Sequence, residues 1–429
     1  MKRAAWIAIP LAVVLLAIGV LWWLMPADRE SGEAPQLPGA IPTADVLARG
    51  AALVALGDCR ACHTGRGGAA FAGGRGTPTP FGMFYAPNIT PDAETGIGRW
   101  TADDFWHALH DGRSKDGTLL YPTFPYTNFT KISRADSDAM YAYLRQQAPV
   151  REPNRPHALK FPYNHRLLLR GWRLLFFRPG VYEADATKSA EWNRGAYLVQ
   201  GVGHCSACHE ARNALGAIQS KDNPSGGLVL NWYAPALTAK AEAGVQDWHE
   251  DEIVALLKTG VSPRGSATGP MAEVVFESLQ HADPADLHAM AVYLKSLPET
   301  EAPPAAGFQR VSAHDAEAMQ KRGAQIYADH CAQCHGDHGE GRAPAAPALA
   351  GNRALTMASA VNPIRLLLYG GYPPGTDGNP RPFGMPPFSP TLSDQQIADV
   401  LSYTRGAWGN DARPVSSVEV IRNHAGPLW

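Results

Sequence analysis

Residues 57–63 read Gly57-Asp58-Cys59-Arg60-Ala61-Cys62-His63, and the C-x-x-C-H pattern returns at Cys205-Ser206-Ala207-Cys208-His209 and Cys331-Ala332-Gln333-Cys334-His335. These three copies use all six cysteines of the 429-residue chain, so none remains for a disulfide. Consecutive copies are more than a hundred residues apart, whereas a zinc ribbon brings two such knuckles together at short spacing. A redox dithiol needs no histidine directly after the second cysteine, and here each copy has one.

The pattern suits covalent attachment of c-type haem. Two thiols three positions apart each add to a vinyl group of the porphyrin, and the adjoining imidazole then lies under the iron. The expectation is three covalently bound haem c groups, attached through Cys59 and Cys62, Cys205 and Cys208, and Cys331 and Cys334. His63, His209 and His335 are the expected proximal iron ligands.

Similarity between the copies extends well beyond the cysteines, as it does in a repeated unit. Ahead of them lie Arg49-Gly50-Ala51, Arg194-Gly195-Ala196 and Arg322-Gly323-Ala324, each in a helical pattern. After them come Ala86-Pro87, Ala234-Pro235 and Ala346-Pro347. The short helical patterns DDFWHALHDG (103–112), DEIVALLKTG (251–260) and NPIRLLLYGG (362–371) each close on glycine, a helix stop. A last amphipathic segment holds Tyr143, Tyr293 and Tyr403 in equivalent places.

The expected domains are therefore 42–148, 189–298 and 313–411, with a tail at 412–429. PETEAPPAAG (298–307) reads as a linker. The connector 149–188 is different: LKFPYNHRLLLRGWRLLFFRPG (159–180) is aromatic and basic, and is expected to pack against the domains or a partner. A membrane-surface role is the alternative reading of this segment.

A haem iron that only exchanges electrons needs a second axial ligand, and methionine there favours the ferrous state. Met271 in TGPMAEV and Met385 in FGMPPF stand in Gly/Pro-rich loops between the last two helical patterns and are the expected distal ligands. Met140, Met290 and Met319 fall in helical patterns and read as core filler. The first repeat has Phe124 at the corresponding place, in LLYPTFPYTNF (119–129), and phenylalanine cannot bind iron. Its distal ligand is left open among Met83, Lys115, Tyr121, Tyr126, His110 and a water-bound or vacant site.

At the N-terminus Lys2 and Arg3 precede an apolar run from about Ala4 to Met25, long enough to cross a bilayer. The expectation is a transmembrane anchor over 1–28 that leaves the remainder in the bacterial periplasm, at the inner membrane. Net charge is −2 and no Lys/Arg-rich run occurs, which gives no reason to expect a nucleic-acid partner. The expected fold class is mainly α: three tandem monohaem domains behind one transmembrane helix.

The order helix, haem motif, proline loop, helix, loop, helix resembles the small monohaem cytochrome c. Longer runs are more specific: FYAPNITPDAETGIGRW (84–100), GWRLLFFRPG (171–180), SAEWNRGAYLVQGVGHCSACHEARNALGA (189–217), ADLHAMAVYLKSLP (285–298) and FGMPPFSPTLSD (383–394). They resemble the trihaem cytochrome c subunits of membrane-bound bacterial dehydrogenases. That resemblance implies a catalytic partner of quinoprotein, flavin or molybdenum type, with ubiquinone or a terminal oxidase as acceptor, and a non-catalytic, electron-relaying role for this chain.

It also implies that the carbonyls of Pro87, Pro235 and Pro347 receive the proximal histidine Nδ1–H, which puts nearby Met83 on the wrong face of its haem. The alcohol dehydrogenase members carry methionine where Phe124 stands here. The readings set against this one are a haem enzyme or sensor working at an open first haem, and a free-standing electron carrier.

Overall fold

The computed structural model describes residue 19 and residues 42–219, 226–301, 311–342 and 345–425. In the first repeat α1 (Ala44–Leu56) leads into α2 (Cys59–His63), the hairpin β1 (Gly76–Thr79) and β2 (Gly82–Tyr85), then α3 (Ala102–Asp111) and α4 (Arg134–Leu144). In the connector, β3 (Ala158–Leu159) adds antiparallel to β2, and α5 (Leu168–Phe176) follows.

The second repeat runs through α6 (Ala190–Tyr197), α7 (Ser206–His209), the hairpin β4 (Gly227–Val229) and β5 (Trp232–Ala234), α8 (Glu250–Thr259), α9 (Pro270–Glu277) and α10 (Pro284–Lys295). The third has α11 (Ala313–His330), α12 (Ala332–His335), α13 (Val361–Tyr369), α14 (Asp394–Gly406) and α15 (Ser417–Arg422). Ser133, Ser189, Asp283, Ser312 and Ser393 cap their helices, each side-chain oxygen accepting a first-turn backbone N–H.

The Arg-Gly-Ala triplets mark helix crossings. Gly50, Gly195 and Gly323 lie where α1 meets α4, α6 meets α10 and α11 meets α14. A Cβ on any of them would collide with a backbone carbonyl, that of Ala139, Ala289 or Asp399, and crowd the Cβ of Tyr143, Tyr293 or Tyr403. The preceding arginine closes the same crossing with an ion pair. Arg49 Nε lies 2.5 Å from Asp136, Arg194 grips Asp286 with two bonds of 2.7 and 2.8 Å, and Arg322 grips Asp399 at 2.6 and 2.8 Å. Glycine sets how closely the helices approach, and the planar guanidinium sets their register.

The first two repeats share one core, in which Leu53, Phe105 and Met140 belong to the same cluster as Leu198, Ile253, Leu287 and Met290. Tyr197 of α6 donates to Asp136 of α4 at 2.5 Å and ties them further. The third repeat has its own core around Leu368, Ile397 and Leu401, which also takes in Val415 and Val420 from beyond residue 411. Polar contacts join the two bodies. Asn362 and Tyr233 exchange two hydrogen bonds, Thr376 donates to the Thr259 carbonyl, and Arg353 pairs with Asp247.

The chain is mainly α-helical, as expected, but the expected fold class needs one correction. Among the described residues no helix is long and apolar enough to cross a membrane, so the N-terminal transmembrane helix has no support. The longest described helix, α11, has 18 residues but carries Asp315, Glu317, Lys321, Arg322 and Asp329. Residues 1–28, where that span was expected, lie outside the described residues except for Gly19.

Candidate functional site

Each C-x-x-C-H segment folds as a short helix, α2, α7 or α12, held at the end of the first helix of its repeat or of the turn that extends it. Helical spacing turns both thiols toward one side and presents the histidine after them. In all three repeats the histidine Nδ1 then meets a proline carbonyl. His63 reaches Pro87 at 2.7 Å, His209 reaches Pro235 at 2.7 Å and His335 reaches Pro347 at 3.0 Å. A carbonyl only accepts, so Nδ1 carries the proton and Nε2 keeps the lone pair that a metal needs. Burial pushes the pKa of all three histidines down, which favours the neutral, ligating form.

None of the six cysteines pairs with another in a disulfide. Burial pushes the thiols of Cys59 and Cys205 up to about 12 and that of Cys331 up to about 11. The donor set fits haem c: paired thiols for two thioether bonds, and an oriented imidazole beside them.

The distal segments share a register. In the first repeat Leu120 N–H donates to the carbonyl of Gly112 at 2.8 Å, and in the second Ala267 N–H donates to that of Gly260 at 2.8 Å. Both glycines end a helix in the left-handed conformation, with φ 60° and 77°. Phe124 and Met271 each follow four residues after the donor, at the same offset. Met271 stands at the second position of α9, behind Pro270, rather than in the loop expected for it. Proline at the first helical position has its φ already set and no N–H to leave unbonded. Met385 is held by a two-bond bridge with Gly371, at 2.8 and 3.0 Å, and packs against the third core.

Met83 sits in β2, opposite Pro78 and Ala158, in the sheet that leads directly to Pro87. The other candidates for the first repeat are engaged elsewhere. Lys115 lies 3.4 Å from Asp104 and donates to the Arg99 carbonyl. Tyr121 donates to the Tyr163 carbonyl at 3.0 Å, and Tyr126 is fully buried under Arg173 and Phe177. His110 stacks on Trp106 with ring centroids 4.5 Å apart. Phe124 packs against Phe129, centroid to centroid 5.3 Å.

Sequence reasoning passed over the residue just ahead of each first cysteine: Asp58, His204 and His330. His204 is held at φ 38°, its Nε2 lies 3.3 Å from the Gly57 carbonyl, and its ring meets Phe129 edge-on at 5.4 Å. It therefore joins the second attachment segment both to the first and to the distal aromatics of the first repeat. Asp58 is buried beside Glu273, Glu277 and Arg75, and burial raises its pKa well above the usual carboxylate range. The available signal was positional, because a polar side chain directly before a buried haem motif needs a partner.

The cytochrome c family pattern matches residues 47–148 and 320–408. The chain is 41% identical over 420 residues to a nicotinate dehydrogenase component of Pseudomonas putida, an alignment that covers 96% of this chain and 34% of that protein, so the chain spans about a third of that relative's length. It is 38% identical over 388 residues to the cytochrome c subunit of the quinone-dependent alcohol dehydrogenase of Gluconacetobacter polyoxogenes, covering 86% of this chain and 82% of that subunit. Against the gluconate 2-dehydrogenase cytochrome c subunit of Pantoea cypripedii the figures are 36% over 426 residues, with 94% and 92% covered.

Proposed function

From the premise that the chain belongs to the family of dehydrogenase cytochrome c subunits, we propose that it is a three-haem relay. It takes electrons from a catalytic dehydrogenase subunit and passes them to ubiquinone or a terminal oxidase. The observation that carries this reading is the threefold recurrence of one proximal geometry, C-x-x-C-H with its histidine Nδ1 on a proline carbonyl at 2.7, 2.7 and 3.0 Å. Haem c, when bound, supplies one-electron exchange between ferric and ferrous iron. The chain's own residues fix where that happens. Cys59 and Cys62, Cys205 and Cys208, and Cys331 and Cys334 tether each group, and His63, His209 and His335 are aimed by Pro87, Pro235 and Pro347. Met271 and Met385 would complete the second and third sites, where a thioether raises the reduction potential.

The pyridine haemochrome spectrum of the purified chain should return three c-type haems per polypeptide, and a lower number at full saturation would sink the three-haem reading. We place the haem-bearing repeats in the bacterial periplasm. Protease applied to intact spheroplasts should degrade them.

Phe124 favours a second property of the same protein. Since it takes the place of the distal methionine, and nearby Lys115, Tyr121 and His110 are held by other groups, a haem bound at the first site would be open to small ligands. Carbon monoxide added to the ferrous protein should bind at this one haem. A fully six-coordinate, unreactive protein would rule this out while leaving the relay intact.

A further inference from the structure

Helix α5 turns its most apolar face to the outside. At helical spacing Leu167, Leu168, Gly171, Leu174 and Leu175 fall on one side. That side is exposed: Leu167 61%, Leu168 52%, Leu174 42% and Leu175 65%, with nothing within 4 Å of where a Gly171 Cβ would be. Phe161, 80% exposed, precedes it, and Leu215, 52% exposed, lies beside Trp172, whose Nε1 donates to the Leu215 carbonyl at 3.0 Å. The opposite side of α5 already has its packing, through Leu169, Trp172 and Arg173.

The charged side chains of the connector segment itself, over 155–182, have one sign. From Arg155 to Tyr182 the chain has no Asp or Glu, but it has Arg155, Lys160, Arg166, Arg170, Arg173 and Arg178, in a protein whose net charge is −2. Most of these cations spend their hydrogen bonds inward. Lys160 donates to the Pro80 carbonyl at 3.0 Å, Arg166 to that of Leu119 at 2.6 Å, Arg173 to that of Asp111, and Arg178 to those of Leu174 and Phe177 at 2.8 and 2.9 Å. They set positive potential beside the exposed leucines, which form an apolar ridge. A protein partner would be read by directed polar contacts around an apolar centre. A fluid anionic surface requires only charge and an apolar wedge.

We propose that α5 docks this chain onto an anionic lipid bilayer surface, with the ridge from Leu167 to Leu175 sunk about 5–10 Å into the headgroup boundary. This is a contact lying in the plane of the bilayer and involves no crossing. Arg166 lies over the Tyr121 ring at 4.8 Å and Arg173 over Tyr126 at 5.6 Å, so it is the packed side of α5, opposite the docked face, that adjoins the distal segment holding Phe124. The docking itself stands whether or not the relay reading does.

Nitroxide labels on the full-length holoprotein test it. In the holoprotein the native cysteines are consumed by haem, so Leu175→Cys or Leu168→Cys gives a single attachment point; Val46→Cys on α1 serves as reference. In vesicles of phosphatidylglycerol and phosphatidylethanolamine, the ratio of oxygen to nickel-chelate collisions at positions 175 and 168 should exceed that at 46, as expected for an interfacial helix. It should fall when phosphatidylcholine replaces the anionic lipid. Equal ratios at 175 and 46 in anionic vesicles would overturn the proposal. So would a label at 175 that is shielded from both reagents only when the catalytic subunit is added, since the ridge would then be a protein interface. An intact haem spectrum shows that each labelled chain is folded, and either ridge position suffices.

Discussion

Arg75 of the first repeat and Glu273 of the second form a two-pronged ion pair, its Nη2–Oε2 arm 2.7 Å long, two residues past Met271 on the same helix. Arg75 also donates to the Ala61 carbonyl at 2.8 Å, inside the first attachment segment. Farther along, Glu277 lies 3.5 Å from Arg60, and Ser278 donates to the Leu56 carbonyl at 3.1 Å. The helix that carries the expected ligand of the second haem is thus fastened along its length to the segment that holds the first. Arg75→Gln should cost about 1–2 kcal/mol, the scale of a partly shielded charged pair. It should also weaken the methionine-to-iron charge-transfer band of one haem. Arg75→Lys, which keeps the charge but loses the fork, should fall between. A lower melting temperature with an unchanged band would show that the pair is structural only.

Removing the proposed thioether ligands should be visible haem by haem. Met271→Ala and Met385→Ala should each abolish one charge-transfer band and lower one reduction potential, because the ferrous state loses its soft ligand. Met83→Ala, in the sheet beside Pro87, should leave the spectrum as it was. Loss of a band in that variant would mean the chain brings Met83 to the iron after all.

Phe124→Met tests the first repeat from the opposite direction. Since Phe124 and Met271 share an offset from their helix-stop glycines, a thioether at 124 should reach the first iron. Carbon monoxide binding to the ferrous protein should drop from one site to none, and the potential of that haem should rise. Unchanged carbon monoxide binding would count against the equivalence of the two positions.

Two glycines should respond oppositely to the same substitution. Gly195→Ala drives a methyl group into the Ala289 carbonyl and should cost about 3 kcal/mol, the upper range for overpacking. Gly171→Ala, on the open face of α5, meets nothing and should stabilise by about 0.5–1 kcal/mol through lower chain entropy. Thermal unfolding of the holoprotein reads both.

Much of this arrangement is legible in the sequence because it is local. The haem motifs, the helix-stop glycines and the capping residues each act within a few positions, so spacing alone locates them. The Arg-Gly-Ala triplet is visible as a repeat, but its purpose is hidden because its partners lie on another helix. No fixed interval identifies them either: Asp136 and Asp286 stand seven residues before Tyr143 and Tyr293, whereas Asp399 stands four before Tyr403. The contacts between repeats are equally invisible, since Arg75 and Glu273 or His204 and Gly57 meet only after the chain has closed on itself. For the connector, composition supports packing against the domains or a partner, with a lipid surface as the alternative. The structure shows one side of α5 packed and the other bare, a division that depends on how the helix is rotated against Tyr126.

The shared core of the first two repeats bears on how such a chain can be shortened or extended. Among the described residues, the core shared by the first two repeats draws no hydrophobic member from beyond residue 301, although Arg353 of the third repeat lies over its Trp248 at 5.5 Å. A break anywhere in the connector, by contrast, would strand Tyr197 without Asp136 and His204 without Gly57, and would split one hydrophobic interior between two fragments. The first two repeats therefore act as one packed body, while the third keeps a hydrophobic interior of its own.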